Sequence, residues 1–444
     1  MRQAIRLFTA LALAFPVFPV WSIDLTQAYQ AALDQDASIK ASRASADAGR
    51  ESLPQARAQL LPSVNASFSR NRNQLESSTP NILGEQTRSS YGYPSSNDSV
   101  TLRQPIYRKA QWAQYRQAEA QVADVEAMLE NDVQNLAVKV GAAYFEALLA
   151  EDQLLLNRSQ LSTYRAHLES SRKLLAGGSG TRTEVDEAQA RLDMGVAQEL
   201  ESIQNVAMTR QQLQVLVNQP LDTLAPLDPM SLNLSAPEPA SVEAWIARAE
   251  QSSPELIALR ARVDIAAHEV TKARAGHLPT LDAVAQWSRS NSENSVSINS
   301  SYETRSIGVQ LTVPLYAGGG VNSSVRQALA NKERAEQTLE AVRRELGVRV
   351  HKEYRGMSEG VLRVRALEQA VRSAELAQDS SRKSFLGGAR TRIDVLNAET
   401  SVVVVKRDLA QARYVFLISQ LRLQALVKDA GIATIELVNL ALKR

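Results

Sequence analysis

The sequence predicts a mainly α-helical chain, built by tandem duplication, in which each copy joins one amphipathic strand pair to one very long helical hairpin. Three observations predict it. Residues 171–188, SRKLLAGGSGTRTEVDEA, and 381–398, SRKSFLGGARTRIDVLNA, align at an offset of 210 with nine of eighteen positions identical. Apolar residues alternate with a period of two in two places, each followed by a helical run. The run Arg108–Ala176 contains no proline, and some 69 helical residues make a rod of about 100 Å, longer than any single globular domain holds.

Composition removes most function classes. The 444 residues carry 50 Lys+Arg and 48 Asp+Glu, and without the two arginines of the expected leader the balance is zero. That is not the basic footprint of a nucleic-acid partner. There is no cysteine, which excludes a disulfide framework, a zinc–thiolate site, a cysteine nucleophile and an amino-terminal lipid anchor. The histidines (His167, His268, His277 and His351) show no metal-ligand spacing. His268 and His277 fall on one helix face and read as surface or packing residues. Gly318–Gly320 follows a strand and precedes a helix but lacks the Lys-Ser/Thr of a phosphate loop, and reads as a flexible corner. No nucleophile–base–acid set can be assembled, so the expectation is no enzyme, no cofactor and no metal.

Met1–Ser22 has Arg2 and Arg6 before the apolar run LFTALALAFPVFPV, the pattern of a signal peptide. No later stretch is apolar for about 18 residues, the length a spanning helix needs. The chain is therefore expected to be exported, and to enter a membrane, if it does, without a hydrophobic helix.

The duplication sets the order: a first repeat over 23–218, a Pro-rich connector over 219–240, a second repeat over 241–428 and a tail over 429–444. Leu25–Pro62 matches Val242–Pro279 at an offset of 217, and the offset is 210 from about residue 116 onward, so the first copy carries a net insertion of seven between them. Helices are expected over Leu25–Leu33 and Ser38–Leu61, and over Val242–Glu250 and Pro254–Leu278, with Pro254 at a first helical position. Strand pairs follow over 62–106 and 279–315. Val64, Ala66 and Phe68 alternate with Ser63, Asn65 and Ser67, and Ile307, Val309, Leu311 and Val313 alternate with polar residues. The polar stretches Asn71–Asp98 and Ser290–Ser300 read as exposed loops. A lone hairpin is marginal in water, whereas strands apolar on one side and polar on the other suit a membrane barrel wall, with Tyr107, Tyr302 and Tyr316 at their ends. Helical hairpins fill 108–218 and 321–428, their return arms predicted over Glu184–Asn218 and Asp394–Lys428. Each hairpin turns at a Gly-Gly break, Gly177–Gly178 or Gly387–Gly388, before a threonine cap, Thr181 or Thr391.

QPIY (104–107), VPLYAGG (313–319), GGARTRIDVLNAET (387–400) and ARYVFLISQLRLQALV (412–427) make the chain resemble the TolC family of outer-membrane channel proteins over essentially its whole mature length. The resemblance implies a homotrimer. Four strands per chain would close a twelve-stranded β-barrel in outer-membrane lipid, continued by a periplasmic α-helical coiled-coil barrel with the hairpin tips at its far mouth. Four strands with two open edges cannot stand alone in a bilayer in any case, because the edge backbone groups would go unpaired. The resemblance also assigns the tips. Asp394 matches a carboxylate that rings the closed pore, and Asn397 stands where a second acidic ring is expected. Arg390 matches a latch arginine whose partner position is Glu184, after Thr183, and Phe385 replaces a latch tyrosine. Gly177, Gly178, Thr181, Arg182, Gly387, Gly388, Thr391 and Arg392 form the tips that meet a periplasmic adaptor. Without the resemblance, Arg390, Arg182 and Glu184 read as cap-region charges on solvated helix ends.

The implied function is a passive exit duct for type I protein secretion at the cell outer membrane of a Gram-negative bacterium, docking through the adaptor onto an inner-membrane ABC or proton-driven transporter. A multidrug or small-molecule efflux component is the nearest alternative. An exported trimeric coiled-coil adhesive is the alternative of a different class, which the amphipathic strands oppose.

Overall fold

In the computed structural model, which describes residues 23–221, 223–292 and 300–443, the expected order of elements occurs twice. The first copy contains α1 (Leu25–Gln35), α2 (Ala37–Arg50), α3 (Ser52–Ala58), β1 (Ser63–Pro80), β2 (Gln86–Tyr107), α4 (Lys109–Ala176) and α5 (Arg182–Val217). The second contains α6 (Val242–Ser252), α7 (Pro254–Arg274), β3 (Thr280–Ser292), β4 (Ser300–Thr312), α8 (Gly320–Leu386) and α9 (Arg392–Leu426). A last helix, α10 (Ile432–Asn439), follows. The expected leader and residues 293–299 of the second polar loop lie outside the described residues. No described helix is long and apolar enough to cross a membrane.

The described residues fall into two compact units, one drawn from Ser38–Val133 and Glu243–Val350, the other from residues 23–37, Gln134–Val242 and residues 351–443. The first holds an antiparallel sheet of order β1-β2-β3-β4. Its register turns the alternation of single strands into two continuous faces, because residues directly opposite one another share a face. Val64, Leu102, Ala285 and Ile307 form one row, and Ala66, Val100 and Trp287 continue the next. On the other face run Asn65, Thr101, Gln286 and Ser306. Among the described residues the apolar face stands open, with Phe68 71 % and Ile307 91 % exposed. Bidentate contact between Arg108 and the buried Asp282 ties the start of α4 to β3.

Two expectations are corrected in this unit. Asn71–Asp98 is mostly strand, not loop: β1 and β2 stay paired out to Pro80 and Gln86, and only 81–85 turn. Asn81 closes that turn by accepting from the amides of Leu83 (3.0 Å) and Glu85 (2.9 Å). Apart from Leu75, Tyr91 and Tyr93, which share one face, these outer strand halves are polar on both faces, so they carry no sustained period to read. The helix expected over Ser38–Leu61 is split at Glu51 into α2 and α3. Pro54 explains the split, since it has no N–H to donate and its ring crowds the carbonyl four residues back, which confines it to a first turn.

The second unit contains helices and the irregular connector, with two isolated β-bridges. Along α4 and α5, Asn157 donates to Ser202 at 2.6 Å, and Arg158 and Arg210 pair with Glu199 and Glu151. Along α4 and α9, Tyr414 bonds Asp152, and Gly141 lets Leu421 in so closely that a Cβ would lie 2.3 Å from it. Along α8 and α9, Glu368 pairs with Arg413 and Glu375 with Lys406. These contacts fix the lateral order α5–α4–α9–α8. The connector is bound into this core: Leu224 bridges Ile23, Leu227 bridges Leu442, and the Tyr144 hydroxyl accepts from the Ala225 amide at 3.0 Å. The tail, for which the sequence offered no element, is the helix α10, which buries Thr434, Ile435 and Val438. Its Asn439 accepts the free amide at the start of α1, from Leu25, at 3.0 Å.

Candidate functional site: the paired hairpin tips

Both tips are built by the same local chemistry. At the first, the Ser179 amide reaches the Leu174 carbonyl and the Gly178 amide reaches that of Leu175, the crossed pair of a Schellman ending. Gly178 supplies the left-handed residue at φ +73°. The second tip repeats the pattern with Ala389 to Ser384 and Gly388 to Phe385, Gly388 at φ +77°. A new helix then starts under a capping box. Thr181 Oγ1 accepts from the Glu184 amide (3.2 Å) while Glu184 accepts from the Thr181 amide (3.0 Å). Thr391 and Asp394 do the same at 3.3 and 2.9 Å. Asp394 also accepts from the Thr391 hydroxyl at 2.8 Å. The amide and hydroxyl of Thr391, with the nearby Arg390 charge, hold the Asp394 carboxyl below the usual carboxylate range.

The tips differ in their charges. Gly180 stands where the second tip has Arg390, and a Cβ there would lie 2.9 Å from the Leu175 nitrogen, so the first tip has no room for an arginine in its conformation. Arg182 pairs with Asp186 one turn on. Thr183, Glu184, Arg390 and Asn397 are exposed, and Asp394 is half-buried. Among the described residues, no hydrogen bond or ion pair joins Arg390 to Glu184.

The link between tips within one chain runs instead through residues that sequence reasoning gave other roles or none. Arg392 donates to Ser170 at 2.6 Å and lies 5.5 Å over the Phe385 ring. Seven residues on, along the same face of α9, Glu399 meets His167 at 3.1 Å. Heptad spacing from Arg392 to Glu399 was the available signal, but nothing in one sequence says which helix that face meets. Among the described residues no cluster of His, Asp and Glu could hold a metal.

Comparison with known proteins bears on the family and the fold. The outer membrane efflux protein family matches residues 28–219 and 245–427, the two repeats without the connector. The chain is 32 % identical to the proteases secretion protein PrtF of Dickeya chrysanthemi, over 91 % of this chain and 87 % of that protein. It is 33 % identical to the alkaline protease secretion protein AprF of Pseudomonas aeruginosa, over 94 % and 87 %. Its fold is that of the outer membrane protein VceC of Vibrio cholerae, with a TM-score of 0.77 at 19 % identity over 91 % of this chain and 96 % of that one. The resemblance read from the strand–helix junctions, the second tip and the last long helix is borne out, and the chain belongs to the outer membrane efflux protein family, the TolC-type outer-membrane channels.

Proposed function

We propose that the chain is the exit duct of a type I protein secretion system, a passive trimeric channel that docks through a periplasmic adaptor onto an inner-membrane ABC transporter. The observation that carries the reading is the four-stranded sheet. One face is apolar and uncovered, the other polar, and β1 and β4 are open edges. Lipid accepts such a sheet only when its edges close on further copies, and three copies give the twelve strands of a barrel with a wet lumen. Both relatives named above are described as secretion proteins for proteases, which favours a polypeptide cargo over small-molecule efflux.

At the tips, three Asp394 carboxylates around a narrow axis would form a cation-favouring ring, with neutral Asn397 one turn further. Arg390 reaches Glu184, beside Thr183, only in a neighbouring copy on this reading. Phe385 brings no hydroxyl to the latch and packs under Arg392 instead. The purified chain in planar bilayers is expected to give stepwise conductance from a trimer, and a trimer without conductance ends the duct reading. In cells, deleting the chain should leave an exported protein inside while resistance to dyes and detergents is unchanged; the reverse pattern would assign it to efflux.

A further inference from the structure

Beyond Trp287 and Phe68 the apolar face of the sheet turns basic. Arg305 lies opposite Trp287, Arg289 between Asp98 and Glu303, Arg70 opposite Ser96, and Arg72 opposite Pro94. All four arginines are exposed, against the two acids Asp98 and Glu303 on the same rows. Over these rows the other face carries no charge among the described residues. Ser69, Asn97, Ser290 and Tyr302 make one of its rows, and serine, asparagine and threonine fill the rows on either side. Strands solvated on both sides give an arginine no reason to choose a face. Charge confined to the apolar side marks two different media.

Height places the band. Arg305 stands six residues out from Leu311, Arg289 eight from Leu281, and Arg70, through its row partner Asn291, ten. That is about 20 to 34 Å of strand, or about 16 to 26 Å of height at a tilt near 40°. The apolar band of a membrane barrel is about 25 Å tall, so these arginines stand where hydrocarbon gives way to headgroups. The strands run outward from periplasmic helices, so the headgroups are those of the outer leaflet.

Two of the arginines are already oriented. Asp98 holds Arg70 through two bonds, and Glu303 holds Arg305 at 2.6 Å while accepting from Trp287 at 3.2 Å. Their side chains remain 63 % and 79 % exposed, with donors of the five-proton guanidinium to spare. Arg72 and Arg289 form no ion pair among the described residues.

We propose that this band seats the phosphates of an anionic glycolipid of the outer leaflet. Arg72 and Arg289 supply the open forks, and Phe68, Trp287 and Ile307 lie below them against the acyl chains. Planar guanidinium forks match phosphate oxygens two at a time. A free phosphate ion would gain nothing from the adjoining apolar rows, which is why the occupant is the lipid. The proposal rests on the barrel reading and adds the lipid chemistry that its outer rim selects.

The full-length chain, purified in neutral detergent, can be titrated with lipid A, with the same glycolipid stripped of its phosphates, and with inorganic phosphate. Native mass spectrometry counts what stays bound. Wild type should retain lipid A and lose the dephosphorylated form. An Arg72→Gln, Arg289→Gln double variant should bind lipid A more weakly by on the order of 25-fold, about fivefold per arginine. Arg103→Gln, on the other face, should bind as wild type does. Equal retention of both glycolipids by wild type overturns the proposal without any variant. So does a double variant that binds like wild type, or an equal loss in Arg103→Gln. Inorganic phosphate held as tightly as lipid A would make the band an anion site and overturn the lipid seat. A trimer that conducts in any of these cases leaves the duct reading standing, whereas a chain that neither trimerises nor inserts into lipid overturns both.

Discussion

Arg392 on α9 donates to Ser170 on α4 at 2.6 Å, and this contact, with His167 and Glu399 one heptad above it, is the seam that joins the two hairpins of one chain just above their tips. Arg392→Ser removes the hydrogen bond and the stacking on Phe385 together. A net hydrogen bond is worth about 1 kcal/mol, so local opening should become several-fold easier. Amide exchange over 167–172 and 389–399 should accelerate accordingly, with the rest of α4 unchanged. Equal exchange in variant and wild type would show that the seam is held elsewhere.

Arg390 makes a different prediction because, among the described residues, it forms no ion pair or side-chain hydrogen bond, and Asp394 feels its charge. Glu184, the residue it is proposed to meet in the next copy, already accepts from the Thr181 amide, and a carboxylate has acceptor capacity left for an arginine. Arg390→Ser should raise the resting single-channel conductance, whereas Arg182→Ser, whose charge is spent on Asp186, should change it little. Equal conductance in Arg390→Ser and wild type would take Arg390 out of the latch.

Much of this was legible in the sequence, and the failures have physical causes. Gly-Gly breaks with a threonine three or four residues on encode a Schellman ending followed by a capping box, and both tips show it. Long helices announced themselves by the absence of proline. The outer halves of β1 and β2 did not, because Ser69, Asn71 and Asn73 on one face lie back to back with Arg70, Arg72 and Gln74 on the other, leaving no hydrophobic period. The tail was missed for the opposite reason: Ile435 and Val438 are buried, but a helix as short as α10 offers too few turns to show a periodicity. Side-chain partners across helices, such as His167 with Glu399, were beyond reach, since heptads fix a face and not the helix it meets.

Asp394 carries a pH dependence whose sign is determined. Its carboxyl is depressed by the donors of Thr391 and by Arg390, so its contribution to the tip is present above the unfolded carboxylate range and is lost as pH falls through the lowered value. The α9 start should therefore stay capped at neutral pH and fray only in acid. Asp394→Asn keeps an acceptor for the Thr391 amide but removes the charge. Tip exchange should rise little, while block of the channel by multivalent cations should weaken at neutral pH. Unaltered block in the variant would contradict the acidic ring, whatever happens to the cap.

Tyr414 supplies the last prediction. Its hydroxyl donates to Asp152 at 2.8 Å inside the α4–α9 packing, with its ring 5.9 Å from that of Phe145. Burial pushes the Asp152 carboxyl above the usual range, and the Tyr414 hydrogen bond opposes that shift. A raised carboxyl favours the fold most at low pH, and that advantage is lost as pH rises through the folded value, where the ion must be buried. Tyr414→Phe leaves this ion without its donor, at a cost of about 1–3 kcal/mol that should be full at neutral pH and shrink in acid as Asp152 takes a proton. Thermal melting of the variant at neutral and acid pH measures the difference. Asp152→Asn, which keeps an acceptor and removes the ion, should melt close to wild type and lose the pH dependence; a Tyr414→Phe deficit that is equal at both pH values would mean that the lost contact is packing rather than support of a buried charge.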